Sequence, residues 1–247
     1  MPSPRWPPAC WARPARRCGA CSTLDATAAL MRLLVVRPEP GAAATAAKLR
    51  ALGHEPIVLP LLATEALDWQ PPATLPDGVI ITSAAAVRHA GPAAAGLQHL
   101  PLFCVGSATA TAARAAGWQD VGQGPGTLQG LLDELAATPR LLLHLAGEDR
   151  TAVTVPAALT IETRILYRAR LLPLPMLVPV DGILLHSPRT ARHLAAEWDR
   201  LGGRRDMVSL FAISPLALAA AGPGWRSGKA AATPDDAALL AMLGKAG

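Results

Sequence analysis

One segment of this 247-residue chain occurs twice, and that repetition limits what the chain can fold into. Asp77-Gly-Val-Ile-Ile-Thr-Ser83 is matched by Asp181-Gly-Ile-Leu-Leu-His-Ser187, and each copy runs on into an alanine-rich stretch holding an Arg-His pair, Arg88-His89 and Arg192-His193. Further along, residues 101–109 parallel residues 209–217, Gly117-Trp118 parallels Gly224-Trp225, and Thr127-Leu128 parallels Thr233-Pro234, in the same order. Self-similarity of this kind means that one supersecondary unit is built twice.

The apolar runs of both copies are short and continuous, at residues 79–81, 102–105, 183–185 and 210–213. Runs of this type, each followed by a helix-like stretch, are the pattern of parallel strands buried on both faces and joined by right-handed crossovers. The first copy is followed by two more strand-like runs, 141–145 and 161–167, whereas the second reaches the end of the chain. Its missing unit comes from the start of the body, where strand 33–36, helix 41–52 and strand 55–60 are expected. The expected fold class is therefore α/β, with two similar doubly wound parallel-sheet domains joined by a two-stranded connector and facing a cleft. One domain is discontinuous (31–62 and 170–247) and the other is inserted in it (63–169). Pro173, Pro175 and Pro179 suit a stiff, extended return passage.

Residues 1–30 read differently, with five prolines among Arg5, Arg13, Arg16 and Arg17 and no hydrophobic period before Ala28. A disordered N-terminal extension is expected there, with Met31 opening the folded body. The extension holds four of the arginines and one acid, so most of the net charge of +5 belongs to it and not to the body. It also contains Cys10, Cys18 and Cys21; the Cys18/Cys21 spacing lacks a second ligand pair, and Cys104, in an apolar run, is read as a core thiol. No run approaches the roughly 18 apolar residues of a membrane span, and no secretory signal is evident, so a cytoplasmic protein without membrane association is expected.

Ligands of open α/β sheets bind beyond the carboxyl ends of the strands, where helix starts offer free N–H groups and a partial positive charge. Ser83, Ser107 or Thr109, Ser187-Pro188, Ser214-Pro215 and Thr233-Pro234-Asp235-Asp236 have the composition of such starts. Each alone is an ordinary helix cap; together they would line one cleft suited to a flexible polyanion. Gly106 and Gly147, at strand ends, would allow close approach of a ligand to the backbone. Gly122-Gln-Gly-Pro-Gly126 is read as an open connector.

Other chemistries find no support in the residues. There is no phosphate loop or dinucleotide fingerprint, no G-x-S-x-G elbow, no metal-ligand spacing among the histidines, and no basic stripe with interleaved aromatics for nucleic acid.

Val36-Arg37-Pro38, Leu52-Gly53, Ile81-Thr82-Ser83, Val105-Gly106-Ser-Ala-Thr109, Leu145-Ala146-Gly147, Leu166-Tyr167-Arg168, Ser187-Pro188 and Thr233-Pro234, taken in order across residues 31–243, resemble the uroporphyrinogen-III synthases. The resemblance implies two α/β domains facing a cleft and a lyase, a hydroxymethylbilane hydro-lyase (cyclising) of haem biosynthesis. Its reaction turns the linear tetrapyrrole hydroxymethylbilane into uroporphyrinogen III through a spiro intermediate that inverts the terminal pyrrole, with no cofactor and no metal. It further implies Tyr167 as the group assisting hydroxyl departure, and Thr82, Ser83, Gly106, Thr109, Gly147, Ser187 and Thr233 as substrate-binding residues. Tyr167 is the only tyrosine, and a phenol can donate its proton at neutral pH. The expected partner is the small-molecule substrate alone, bound by a monomer. His186, standing where the first copy has Thr82, puts strict equivalence of the halves in doubt. Two rivals share parts of this pattern: a two-domain small-molecule binding protein without turnover, and a nucleotide-dependent transferase, which the absent phosphate loop disfavours.

Overall fold

The computed structural model describes residues 29–245; the extension up to residue 28, with its three cysteines, lies outside them. In chain order the first elements are β1 (Arg32–Val35), α1 (Gly41–Ala51), β2 (Glu55–Val58), β3 (Leu62–Ala66), β4 (Gly78–Ile81) and α2 (Ala84–Ala90). Next come β5 (Leu102–Cys104), α3 (Ser107–Ala115), β6 (Val121–Gln123), α4 (Leu128–Leu135), β7 (Arg140–Gly147) and β8 (Leu159–Leu171). The last are β9 (Gly182–Leu185), α5 (Pro188–Arg200), β10 (Ser209–Ala212), α6 (Pro215–Ala220), β11 (Ser227–Ala230) and α7 (Asp236–Ala241).

Two sheets result. The first has the order β11-β10-β9-β1-β2 and is parallel throughout. The second has the order β3-β8-β7-β4-β5-β6 and is parallel except for β3, which runs antiparallel to β8 from Leu62 opposite Leu171 to Ala66 opposite Tyr167. The two crossings of the chain are thus the antiparallel pair β3 and β8, a two-stranded connector that continues the edge of the second sheet. All four residues of β4 and of β9 are buried, as strands covered on both faces require.

Helices lie on both faces of the first sheet. Leu34, Ile183 and Leu210 pack against Leu194 and Trp198 of α5, while Leu33, Val35, Leu184 and Phe211 pack against Leu49 of α1 and Leu239 of α7. In the second sheet Val79, Ile81, Leu143 and Leu145 meet α2 and α3. The opposite face, with Ile80 and Leu142, is covered by Leu131, Leu132 and Leu135 of α4. No helix comparable to α1 joins β7 to β8; residues 148–158 make that parallel crossover as a loop.

The repeated residues do the same work in each sheet. Asp77 accepts a 2.7 Å hydrogen bond from the Leu141 amide, and Asp181 accepts one of 2.7 Å from the Arg32 amide, fastening each central strand to its neighbour. Gly78 and Gly182 leave room for the two phenylalanines: a Cβ would come within 2.7 Å of Phe103 at the first and 2.8 Å of Phe211 at the second. The repeated histidines hold the crossings. His89 bonds Thr64 of β3 at 2.8 Å, and His193 donates to the Leu172 carbonyl just beyond β8 at 2.7 Å.

Three expectations need correction. Residues 122–126 are not an open connector, because Gly122 and Gln123 pair with β5 and the Gly124 and Gly126 amides donate to the Cys104 and Val105 carbonyls. The C-terminal helix does not begin at Thr233-Pro234; Asp235 caps it, accepting from the Ala238 amide at 2.8 Å, and Thr233 donates to that same carboxylate at 2.6 Å. Neither Ser107 nor Thr109 caps α3, whose cap is Gly106, with no side-chain hydrogen bond; Ser107 opens the helix and Thr109 is buried inside it.

Candidate active-site cleft

Ser83 leaves β4 in extended conformation and caps α2, its hydroxyl accepting from the Ala86 amide at 3.1 Å. The same hydroxyl lies 2.9 Å from that of Tyr167. Three features aim the phenol there. A register shift opposite Ala146 and Gly147 inserts one extra residue into β8, and Leu166 turns into the α2–α3 core beside Tyr167. The ring then stacks on His89, with centroids 5.4 Å apart and planes 25° from parallel. Gly147 makes space for it, since a Cβ at that position would sit 2.5 Å from Tyr167 Cζ. The glycine read as a site of ligand approach is therefore first a socket for the tyrosine. His89, itself bonded to Thr64, is kept below its ordinary pKa by burial and secondarily by Arg88, so a neutral ring supports the phenol.

Thr82, Ser83, Gly147 and Tyr167 line one cavity of about 470 Å³ beyond the carboxyl ends of β4 and β7. Gly106 follows Val105 of the same lining, whereas Thr109 is 6% exposed. Ser187 and Thr233 belong to the other sheet and do not line this cavity. Ser187 caps α5, accepting from the Thr190 amide at 3.2 Å and donating to the Thr190 hydroxyl at 3.0 Å. The two sheets meet close by: Arg189, in the first turn of α5, pairs with Asp149 on the cavity lining and donates to the Ala169 carbonyl at 3.2 Å.

At the carboxyl end of the first sheet the groups are tied to one another. Asp236 accepts from Arg37 at 3.2 Å, Thr45 at 3.2 Å and Lys48 at 2.8 Å, and lies 3.1 Å from His186 Nε2. Burial, reinforced by Arg37, pushes His186 down to about 4 despite the carboxylate, so the pair is a hydrogen bond of a neutral imidazole and not an ion pair near neutral pH. Burial works against ionisation of Asp236 as well, but Lys48 and His186 outweigh it and hold the carboxyl below its usual range. The halves are chemically unequal here, as the exchange of Thr82 for His186 indicates.

Several lining residues, Asp149, Arg150 and His144 among them, lie outside the set expected from the sequence. Asp149 and Arg150 follow Gly147 in the loop, and His144 interrupts the apolar run of β7, buried at 7% exposure. The only signal was that lone histidine among leucines. Among the described residues no group of three or more His, Cys, Asp or Glu side chains is placed to hold a metal ion.

A family model described as uroporphyrinogen-III synthase HemD matches residues 43–241. Among solved structures, uroporphyrinogen-III synthetase from Helicobacter pylori superimposes with a TM-score of 0.59 at 14% identity, over 86% of this chain and 98% of that one. A mutant uroporphyrinogen III synthase from the extremely thermophilic bacterium Thermus thermophilus gives a TM-score of 0.50 at 18% identity, over 85% and 96%. These likenesses concern the fold. No curated protein matches the chain.

Proposed function

The chain belongs to the uroporphyrinogen-III synthase family, enzymes of porphyrin and haem biosynthesis that act on hydroxymethylbilane, and from that premise we propose how its own residues carry out the reaction. Tyr167 is the catalytic residue. The Ser83 hydroxyl accepts from Ala86 and can donate to the phenol oxygen, which leaves the phenol proton free for the departing hydroxyl of the substrate. As the terminal pyrrole expels that hydroxyl, the proton passes to it from Tyr167 and water leaves, giving an azafulvene cation. Its methylene carbon is attacked by the substituted carbon of the far pyrrole to form the spiro centre. Cleavage of the older bond and reclosure invert the ring, and the proton lost on rearomatisation restores the phenol.

The protein must also hold the two chain ends together and exclude uncatalysed closure. Thr82, Ser83, Gly106 and Gly147 on one sheet and Ser187 on the other are proposed to meet the substrate's carboxylates through backbone N–H groups and hydroxyls. Thr109 and Thr233 serve that role indirectly, one from within α3 and one by fixing the cap of α7. Sheet membership of the strands supports a division into residues 31–62 with 170–247 and residues 63–169. A monomer in the cytoplasm is the proposed state; no described helix is long and apolar enough to cross a membrane.

The observation that carries this reading is the Tyr167–Ser83 contact at the cavity lined by both. The experiment is to supply freshly generated hydroxymethylbilane and identify the uroporphyrinogen isomer that accumulates. Isomer III above the spontaneous background is expected; only isomer I, at the uncatalysed rate, would refute it.

A further inference from the structure

One buried imidazole on the cleft wall, that of His144, has no part in this chemistry. His144 occupies, in the second sheet, the place that Val35 holds in the first, since Gly78 is opposite Leu142 as Gly182 is opposite Leu33. Val35 is fully buried beneath α1. His144 has no such cover, because the β7–β8 crossover lacks a helix. Under the loop lies a second cavity of about 390 Å³. It adjoins the cleft: His144, Leu128, Arg150, Thr151, Ala152 and Val153 line both. His144 Nε2 is buried and has no hydrogen-bond partner among the described residues, a state that an apolar side chain would avoid and that a ligand acceptor would relieve.

We propose that this second cavity is an annexe of the cleft that takes one carboxylate-bearing pyrrole of the tetrapyrrole, with His144 as a substrate-contacting residue; the inference rests on the function proposed above. The chemistry of the lining suits such a unit. Leu132, Val155 and Ile161 offer an apolar wall for the ring, Glu148 an acceptor for a pyrrole N–H, and Arg150 a guanidinium with no ion pair among the described residues. Burial, and then Arg150, push His144 down to about 4, so near neutral pH the ring is uncharged and donates one hydrogen bond to a carboxylate held by Arg150.

The test is steady-state kinetics with hydroxymethylbilane on His144→Leu, His144→Gln and Ala152→Phe, each with its thermal midpoint. His144→Leu should raise KM about tenfold with kcat within twofold and no loss of thermal stability. His144→Gln, which keeps a donor, should recover most of the affinity. Ala152→Phe fills the annexe from the loop and should raise KM similarly. A KM within twofold of the parent for both His144→Leu and Ala152→Phe overturns the annexe while leaving the enzyme reading intact; should His144→Leu fail to fold, Ala152→Phe decides. A parent protein that makes no isomer III overturns both.

Discussion

The hydroxyl of Tyr167 lies 2.9 Å from that of Ser83, so a strand residue and a helix cap 84 positions apart meet at one hydrogen bond. Tyr167→Phe removes the proton donor and keeps the ring on His89. It should lower kcat about 100-fold, within the range of lost general acids, with KM little changed. An unaltered kcat would take Tyr167 out of the mechanism.

Ser83→Ala removes a cap and the partner of the phenol together. Loss of the cap should cost about 1 kcal/mol of stability, seen in denaturant melts. The rate should fall less than in Tyr167→Phe, and the double variant should be no slower than Tyr167→Phe alone, because both changes break one contact. Additive rate losses would mean that the two hydroxyls act separately.

Gly147→Ala places a Cβ only 2.5 Å from Tyr167 Cζ. The strand can persist while the ring is displaced, so activity should fall to the level of Tyr167→Phe with the far-UV spectrum retained. Full activity in Gly147→Ala would show that the phenol position is not critical.

Acid should weaken the fold through two imidazoles. His144 and His186 are held at about 4, below the ordinary 6.5 that they regain on unfolding. Their contribution is complete above pH 6.5, is lost progressively as the pH falls toward 4, and is flat below; it amounts to about 3 kcal/mol each at most. His186→Thr, which installs the residue of the first copy, should make urea midpoints between pH 4 and 7 less pH-dependent. An unchanged slope would contradict burial as the cause.

The glycine–phenylalanine contacts should behave alike in both sheets. Gly78→Ala and Gly182→Ala each overpack a core and should destabilise by about 1–3 kcal/mol. Phe103→Leu should rescue the first and Phe211→Leu the second, with no rescue when the pairs are crossed. Equal rescue by either leucine would point to a nonspecific effect.

Much of this architecture was legible because its central strands are short apolar runs that recur with the same neighbours, and the capping serines at 83, 187 and 214 follow them directly. Edge elements were harder to read. Ser227–Ala230 is largely exposed and has no apolar period, and Val121–Gln123 hides in a glycine-rich stretch, so tertiary pairing alone makes them strands. Thr233-Pro234 has the composition of a helix start, yet Asp235 takes the cap because its carboxylate accepts both from Ala238 and from Thr233 itself. The cleft was half legible. Thr82, Ser83, Gly147 and Tyr167 do converge, but Asp149 and Arg150 carry no local pattern, and a histidine inside a leucine run reveals its surroundings only after the crossover is seen to lack a helix.

The placement of β1 between β9 and β2 has a consequence for biogenesis. On the ribosome, residues 62–171 can complete their sheet from neighbours already synthesised, whereas β1, which can pair with β2 at once, must wait for its other neighbour, β9, to emerge more than a hundred residues later. The earliest part of the body is thus among the last to be completed, and a nascent chain stalled before residue 182 would leave one edge of the apolar strand β1 open to chaperones or to another chain.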